Sequence, residues 1–157
     1  MQFFIEQVAI CPKDPAAAKE LLEAIGARVW HDDHVKGGAI LFGEPCQSEA
    51  DLSFNYEMNR QDGKPLEVEI LHYTDGDNWM RDQEPRVSHL GMHCEAVNLK
   101  GWIDFFAGRG IDIAQTMSTT SHTNPVIDGK RLYTYVIFDT YFILGVDLKF
   151  IVRQIVG

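Results

Sequence analysis

The chain has 157 residues, 45% of them hydrophobic, and a formal net charge of −9. That length supports one good core, so a single domain fits better than two independent ones, and the acidic balance, with no Lys/Arg cluster to offset it, opposes binding to phosphate backbones and argues against nucleic acid as a partner. No apolar run approaches the roughly 20 residues needed to span a bilayer, and the opening MQFFIEQVAICPKD lacks the basic stretch of a secretory leader, so a cytoplasmic protein with no membrane partner is expected.

In chain order, the alternating segment Phe4 to Cys11 (FIEQVAIC) reads as a strand. Asp14 and Pro15 supply an N-cap and a first-turn proline for an Ala-rich helix from Ala16 to Ile25, and Gly26 ends it. Arg28 to His34 and Ala39 to Phe42 read as a strand pair joined through Gly37-Gly38, a turn dipeptide, and Asp51 to Met58 (DLSFNYEM) alternates as a further strand. Asp62-Gly63-Lys64-Pro65 turns the chain into the strand Glu67 to Tyr73 (EVEILHY). The polar stretch from Asp75 to Pro85 serves as a linker. Beyond it come a strand at Arg86 to His93 (RVSHLGMH), a helix around Leu99 to Gly108 and a strand at Ile111 to Met117. A polar loop from Ser118 to Lys130, containing SHTNP, precedes strands at Arg131 to Phe138 and Gly145 to Val152. Cys11, Cys46 and Cys94 are odd in number and form no CxxC pair, so they read as buried thiols rather than a disulfide framework or a thiolate zinc site.

The fold class is therefore α+β, with the order β-α-β-β-β in each half. The halves match in spacing: 62 positions separate Gln7 from Glu69, and 60 separate His89 from Lys149. Such agreement is the mark of a duplicated module. Module one is placed at about 1–76, a linker at about 77–85 and module two at about 86–157, in one domain of 1–157.

Side chains alternate along a strand, so Glu67, Glu69, Leu71 and Tyr73 share one face, and Val87, His89, Gly91 and His93 share one face of another strand. Gln7 lies with Ile5 and Ala9, and Lys149 lies with Asp147, Ile151 and Arg153. If a pseudo-twofold axis relates the halves, Gln7 corresponds to His89 and Glu69 to Lys149, and four polar positions converge. Isolated strand carboxylates more often lie on a solvated face; polar residues recurring at matched positions favour convergence.

At these residues the chain resembles the vicinal oxygen chelate superfamily, which includes glyoxalase I, extradiol dioxygenases and bleomycin-resistance proteins. IEQVAICPKDPAAAKELLEAIGA is similar to the opening strand and helix of that family, VEILHY to the glyoxalase I segment that carries a ligand Glu, VSHLGMH to the second opening strand, and DLKFIVR to the closing strand. The resemblance covers essentially the whole chain and implies two βαβββ modules forming an incomplete barrel around a divalent metal (Zn, Ni, Mn or Fe), with Gln7, Glu69 and His89 as ligands. Lys149 stands where the family has Glu. An ammonium there would repel a divalent cation unless it lost its proton.

Two readings stay open. In one, a divalent metal acts as a Lewis acid on a small organic molecule in the barrel cavity, for isomerase, lyase or dioxygenase chemistry, with Lys149 or Glu67 as proton donor or electrostatic partner. In the other, the protein binds a small-molecule ligand without metal, as bleomycin-resistance proteins do, and a Glu69–Lys149 ion pair takes the metal's place. His93 lies roughly 13 Å along the strand from His89 and cannot share its metal; with His122, Arg131 and Tyr133 it is assigned to the surfaces that meet the substrate. Tyr135 would extend that wall, and SHTNP a lid, although a turn anchored by Pro125 accounts for the loop equally well. His31 and His34 fall on opposite faces of a strand end and read as solvated. Trp30, Trp79 and Trp102 read as core or interface. Family precedent adds the expectation of a homodimer.

Overall fold

The computed structural model describes residues 4–76, 86–121 and 131–155. Their elements run β1 (Ile5–Cys11), α1 (Pro15–Ala24), β2 (His31–Leu41), β3 (Glu44–Asn59), β4 (Pro65–Gly76), β5 (Arg86–His93), α2 (Ala96–Ala107), β6 (Ile113–Ser121), β7 (Arg131–Phe138), α3 (Tyr141–Leu144) and β8 (Asp147–Ile155). The linker expected at 77–85 lies outside the described residues, as do His122 and the rest of the SHTNP motif beyond Ser121. No helix among the described residues is long and apolar enough to cross a membrane.

The strands close into a barrel in the order β1-β4-β3-β2-β6-β7-β8-β5. Each half contributes the same internal sequence of neighbours, first strand, last strand, third, second, so the β-α-β-β-β order read from the sequence is the order of the fold except for the short α3 between β7 and β8. The barrel differs from the incomplete one that was expected, and one chain closes it. β1 and β5 zip antiparallel from Ile5↔Met92 to Cys11↔Arg86, and on the far side β2 meets β6 only at Ile40↔Thr116 and Leu41↔Gln115.

Two boundaries differ for physical reasons. Gly37-Gly38 is not a turn: β2 runs straight through it, because both glycines pair with β3 opposite Ser48 and Gln47; a Cβ at Gly37 would come within 3.2 Å of Met117 Cε, while Gly38 faces open space. The turn falls at Phe42-Gly43, whose φ values of 46° and 84° are those of the two-residue hairpin loop that follows strand twist. β6 extends through Ser121, into the segment read as a loop, because the ladder with β7 persists to Ser121↔Arg131.

The helices cover the outside of the barrel. Asp14 caps α1 by accepting from Ala17 N at 3.0 Å, with Pro15 in the first turn, and Gly26 leaves it at φ 117°. α2 carries Leu99, Trp102, Ile103 and Phe106 at i, i+3, i+4 and i+7, a stripe that packs on the outer face of β7 and β8. Phe106 stacks on Phe138 at 4.2 Å between ring centroids, and Trp102 meets Phe150 edge-on at 5.5 Å. Inside the barrel, Cys11, Ala50, Leu71, Tyr73, Ala114 and Ile137 form a second apolar cluster. Cys11 and Cys94 are buried thiols, whereas Cys46 is only half-buried.

Gly91 shows how tightly β1 and β5 approach. A Cβ at this position would lie 2.8 Å from Gln7 Cβ and 2.9 Å from Gln7 Oε1. Gly91→Ala is expected to cost about 1–3 kcal/mol through overpacking, whereas Gly38→Ala, with nothing near it, should stay within about 0.5 kcal/mol of the parent. Urea denaturation of both variants checks this, and equal effects would show that the β1–β5 seam tolerates the extra carbon.

Candidate functional site

A cavity of about 260 Å³ opens inside the barrel. Its polar wall comes from four contiguous strands, β4-β1-β5-β8, the first and last strands of the two modules. Strand alternation turns Glu67 and Glu69 of β4, Gln7 of β1, His89 of β5 and Lys149 of β8 to the interior. The opposite wall, from β3, β6 and β7, is largely aromatic and apolar and includes Phe54, Tyr56, Met117, Tyr133 and Tyr135.

The polar residues form one network. Gln7 Nε2 donates to Glu67 Oε1, while Gln7 Oε1 accepts from Lys149 Nζ at 3.0 Å and pairs with His89 Nε2 at 2.9 Å. This orientation of the amide is the one that charge demands, since a carboxylate on one side calls for N–H and an ammonium on the other calls for C=O. His89 Nδ1 meets Ser88 Oγ at 3.0 Å. Lys149 Nζ lies 3.2 Å from His89 Nε2, 4.0 Å from Glu69 Oε2 and 4.7 Å from the centroid of the Tyr135 ring. Glu69 is 3% exposed, and its Oε2, although 3.3 Å from His89 Nε2, has no well-formed hydrogen bond.

The two carboxylates sit in opposite electrostatic environments. Burial and then the neighbouring Glu69 charge push Glu67 above the usual carboxylate range, outweighing its hydrogen bonds from Tyr56 and Gln7. Burial also acts to raise Glu69, but Lys149 and His89 outweigh it and hold that carboxyl below its ordinary value. Burial likewise lifts the Tyr56 and Tyr135 phenols, leaving both as neutral hydroxyls at physiological pH. The Tyr135 hydroxyl accepts from Gln115 Nε2 at 2.7 Å and donates to Met117 Sδ at 3.3 Å.

A divalent metal does not fit this donor set. Gln7 Oε1, His89 Nε2 and Glu69 Oε2 are close enough to serve one ion, but Lys149 Nζ stands about as near to the first two as they stand to each other. At roughly 3 Å, an ammonium and a dication repel by about 10 kcal/mol even at the effective dielectric of a protein site. Among the described residues, no group of three or more His, Cys, Asp and Glu side chains is placed to hold an ion.

The structure thus brings together Gln7, Glu67, Glu69, His89 and Lys149, with Tyr133 facing them across the cavity. It does not bring His93 to them. That imidazole is exposed, with Nε2 3.0 Å from Glu95 Oε1 and Nδ1 3.4 Å from Arg153 Nη1. Arg131 begins β7 on the same face as Tyr133 but does not line the cavity. His34, half-exposed on β2 where that strand borders the cavity, bridges Asp51 and Glu49 at 2.8 and 3.1 Å. Phe54, Tyr56 and Arg153 line the cavity without having been singled out. For the first two, the signal was the alternation of DLSFNYEM, whose Phe54 pairs with Glu69 in register.

No protein-family model matches the chain, and no curated protein matches it in sequence. Its likeness is to solved structures. A Streptomyces coelicolor methylmalonyl-CoA epimerase variant, in complex with 2-nitronate-propionyl-CoA, superposes with a TM-score of 0.61 at 13% identity, over 97% of this chain and 95% of that one. A 4-hydroxymandelate synthase variant from the same organism gives 0.57 at 14% identity, over 99% of this chain and 50% of that protein. A hypothetical protein from Bacillus halodurans gives 0.54 at 7% identity, over 100% and 99%. Identities this low establish the shared fold.

The opposed carboxylates make stability depend on pH in two ways. Glu67, raised in the fold, favours folding while protonated, and that contribution is lost as pH climbs through its elevated pKa. Glu69, lowered in the fold, favours folding above the ordinary value of 4.5, and that contribution is lost as pH falls through its depressed pKa. Glu67→Gln should therefore gain on the order of 1 kcal/mol over the parent near pH 8 and little near pH 4, while Glu69→Gln should cost about 3 kcal/mol near pH 7 and progressively less on acidification. Urea unfolding across that pH range reads both; a Glu67→Gln gain that grows toward acid would reverse the assignment.

Proposed function

We infer that this chain, whose fold is that of the vicinal oxygen chelate superfamily, binds a small organic molecule in its barrel cavity without a metal, and that the ammonium of Lys149 takes the place of the divalent ion. The position of Lys149 Nζ carries this reading: it is 3.0 Å from Gln7 Oε1, 3.2 Å from His89 Nε2 and 4.0 Å from Glu69 Oε2, at the convergence of the residues that the resemblance makes metal ligands. A cation in that place offers N–H donors and a single positive charge to a ligand oxygen. It can orient and polarise a carbonyl, more weakly than a dication does.

A second reading, catalysis by proton transfer, draws on Glu67. A carboxylate that lines a cavity with its pKa raised by burial is suited to take or give a proton near neutral pH. With Lys149 as the electrophile that polarises a carbonyl and Glu67 as the proton carrier, the site would serve an isomerase or lyase. Glu67→Gln separates the two functions, because it should abolish turnover while leaving ligand affinity largely intact.

The metal-free reading is tested on the purified, full-length protein. Protein prepared without chelator should hold well under one equivalent of any transition metal, and its melting temperature should not respond to EDTA. Lys149→Glu should cost on the order of 3 kcal/mol, because it strands buried carboxylates, and added manganese should recover much of that loss by binding the folded state. Stoichiometric metal in the parent protein, with a melting temperature that EDTA lowers, would defeat the proposal.

A further inference from the structure

The polar wall sets two carboxyl groups against one ammonium. Glu67 and Glu69 face a single ammonium, Lys149, and the next cation along β8, Arg153, is already committed to Glu6 at 2.5 Å. Hydrogen bonding is unbalanced in the same direction. Gln7 donates an N–H to Glu67 and turns its carbonyl to His89 and Lys149, and it makes no hydrogen bond to Glu69. Lys149 approaches Glu69 Oε2 no closer than 4.0 Å, an ion-pair distance but too long for a hydrogen bond. Glu69 Oε2 is left buried in the wall with no well-formed hydrogen bond, the His89 Nε2 standing 3.3 Å away. Such an atom costs about 1–3 kcal/mol, more when charged, unless something supplies a donor to it.

The facing wall favours the same kind of ligand. Phe54, Tyr56, Tyr133 and Tyr135 present aromatic rings to the cavity. Two of them already take cations, Tyr135 under Lys149 Nζ at 4.7 Å and Tyr133 under Arg153 at 5.8 Å. A chain of net charge −9 also raises the local concentration of cations and lowers that of anions.

We propose that the cavity takes a protonated amine carried on an aromatic or apolar body, with an ammonium N–H donated to Glu69 Oε2 and the body lying against the Tyr56, Tyr133 and Tyr135 wall, and that it discriminates against carboxylates. This rests on the metal-free reading of the site. A carboxylate entering the same space would meet the ionised Glu69, whereas an amine brings a positive charge and an N–H donor to it together.

Three probes that share one ring test the proposal: 2-phenylethylamine, 2-phenylacetamide and phenylacetate, titrated into the full chain by calorimetry in the presence of EDTA. The amine is expected to bind tightest and phenylacetate weakest, with about a tenfold difference in Kd between them, which corresponds to roughly 1.4 kcal/mol. In Glu69→Gln the amine should fall to the level of the amide. Should that variant not fold, Tyr135→Leu is the alternative, and it should weaken the amine more than the amide. Equal affinity for the three probes, no binding of the amine, or phenylacetate binding tightest in EDTA would overturn the ligand class while leaving the metal-free reading in place. Phenylacetate binding that appears only when manganese replaces EDTA would overturn the metal-free reading and this inference with it.

Discussion

The hydrogen bond from Lys149 Nζ to Gln7 Oε1, 3.0 Å long, joins the last strand of the second module to the first strand of the first. Everything polar in the barrel is arranged around it. It fixes which way the Gln7 amide faces, and through that amide it decides that Glu67 receives an N–H and Glu69 does not. It brings the ammonium close enough to Glu69 to hold that carboxyl ionised, while burial and the charge of Glu69 push Glu67 the other way despite the pull of Lys149. Two glutamates two residues apart on one strand thereby acquire different chemistry from one contact.

The same contact explains why neither module can build the site alone. Gln7, Glu67 and Glu69 come from the first module and His89 and Lys149 from the second, and β1 and β5 must lie close enough for the Gln7 side chain to fill the space where Gly91 has no Cβ. A duplicated unit normally places equivalent residues at equivalent positions. Here the copies have diverged into complementary pairs: an amide against an imidazole, and a carboxylate against an ammonium. Pairing of that kind leaves the site partly neutralised from within, and Glu67 and Glu69 give the cavity its polarity.

The site was legible in the sequence because strand parity is a strong constraint. Once EVEILHY and DLKFIVR were read as strands, Glu67 and Glu69 had to share a face, as did Lys149 and Arg153, and the repeat spacing aligned them. The same parity extended over DLSFNYEM would have added Phe54 and Tyr56. What the sequence did not disclose depends on contacts between distant residues. Gly37-Gly38 has the composition of a turn, and it is the ladder to Ser48 and Gln47 on β3 that keeps it in a strand. Glu6 alternates away from Gln7 and should face outward, but the register shift between Ile5 and Gln7 allows it to reach Arg153. His93 shares the parity of His89 yet stays exposed beside Glu95.

The unequal seams of the barrel bear on how anything enters it. On one side β1 and β5 are bonded along their length; on the other, β2 and β6 meet only at Ile40↔Thr116 and Leu41↔Gln115. Parting the second pair sacrifices the smallest part of the ladder, so the least costly local opening of the wall runs along that line, far below the free energy of global unfolding. It lies across the barrel from Gln7 and His89. The polar network stands apart from that seam, so an opening there would loosen the apolar wall and leave Gln7, His89 and Lys149 in register.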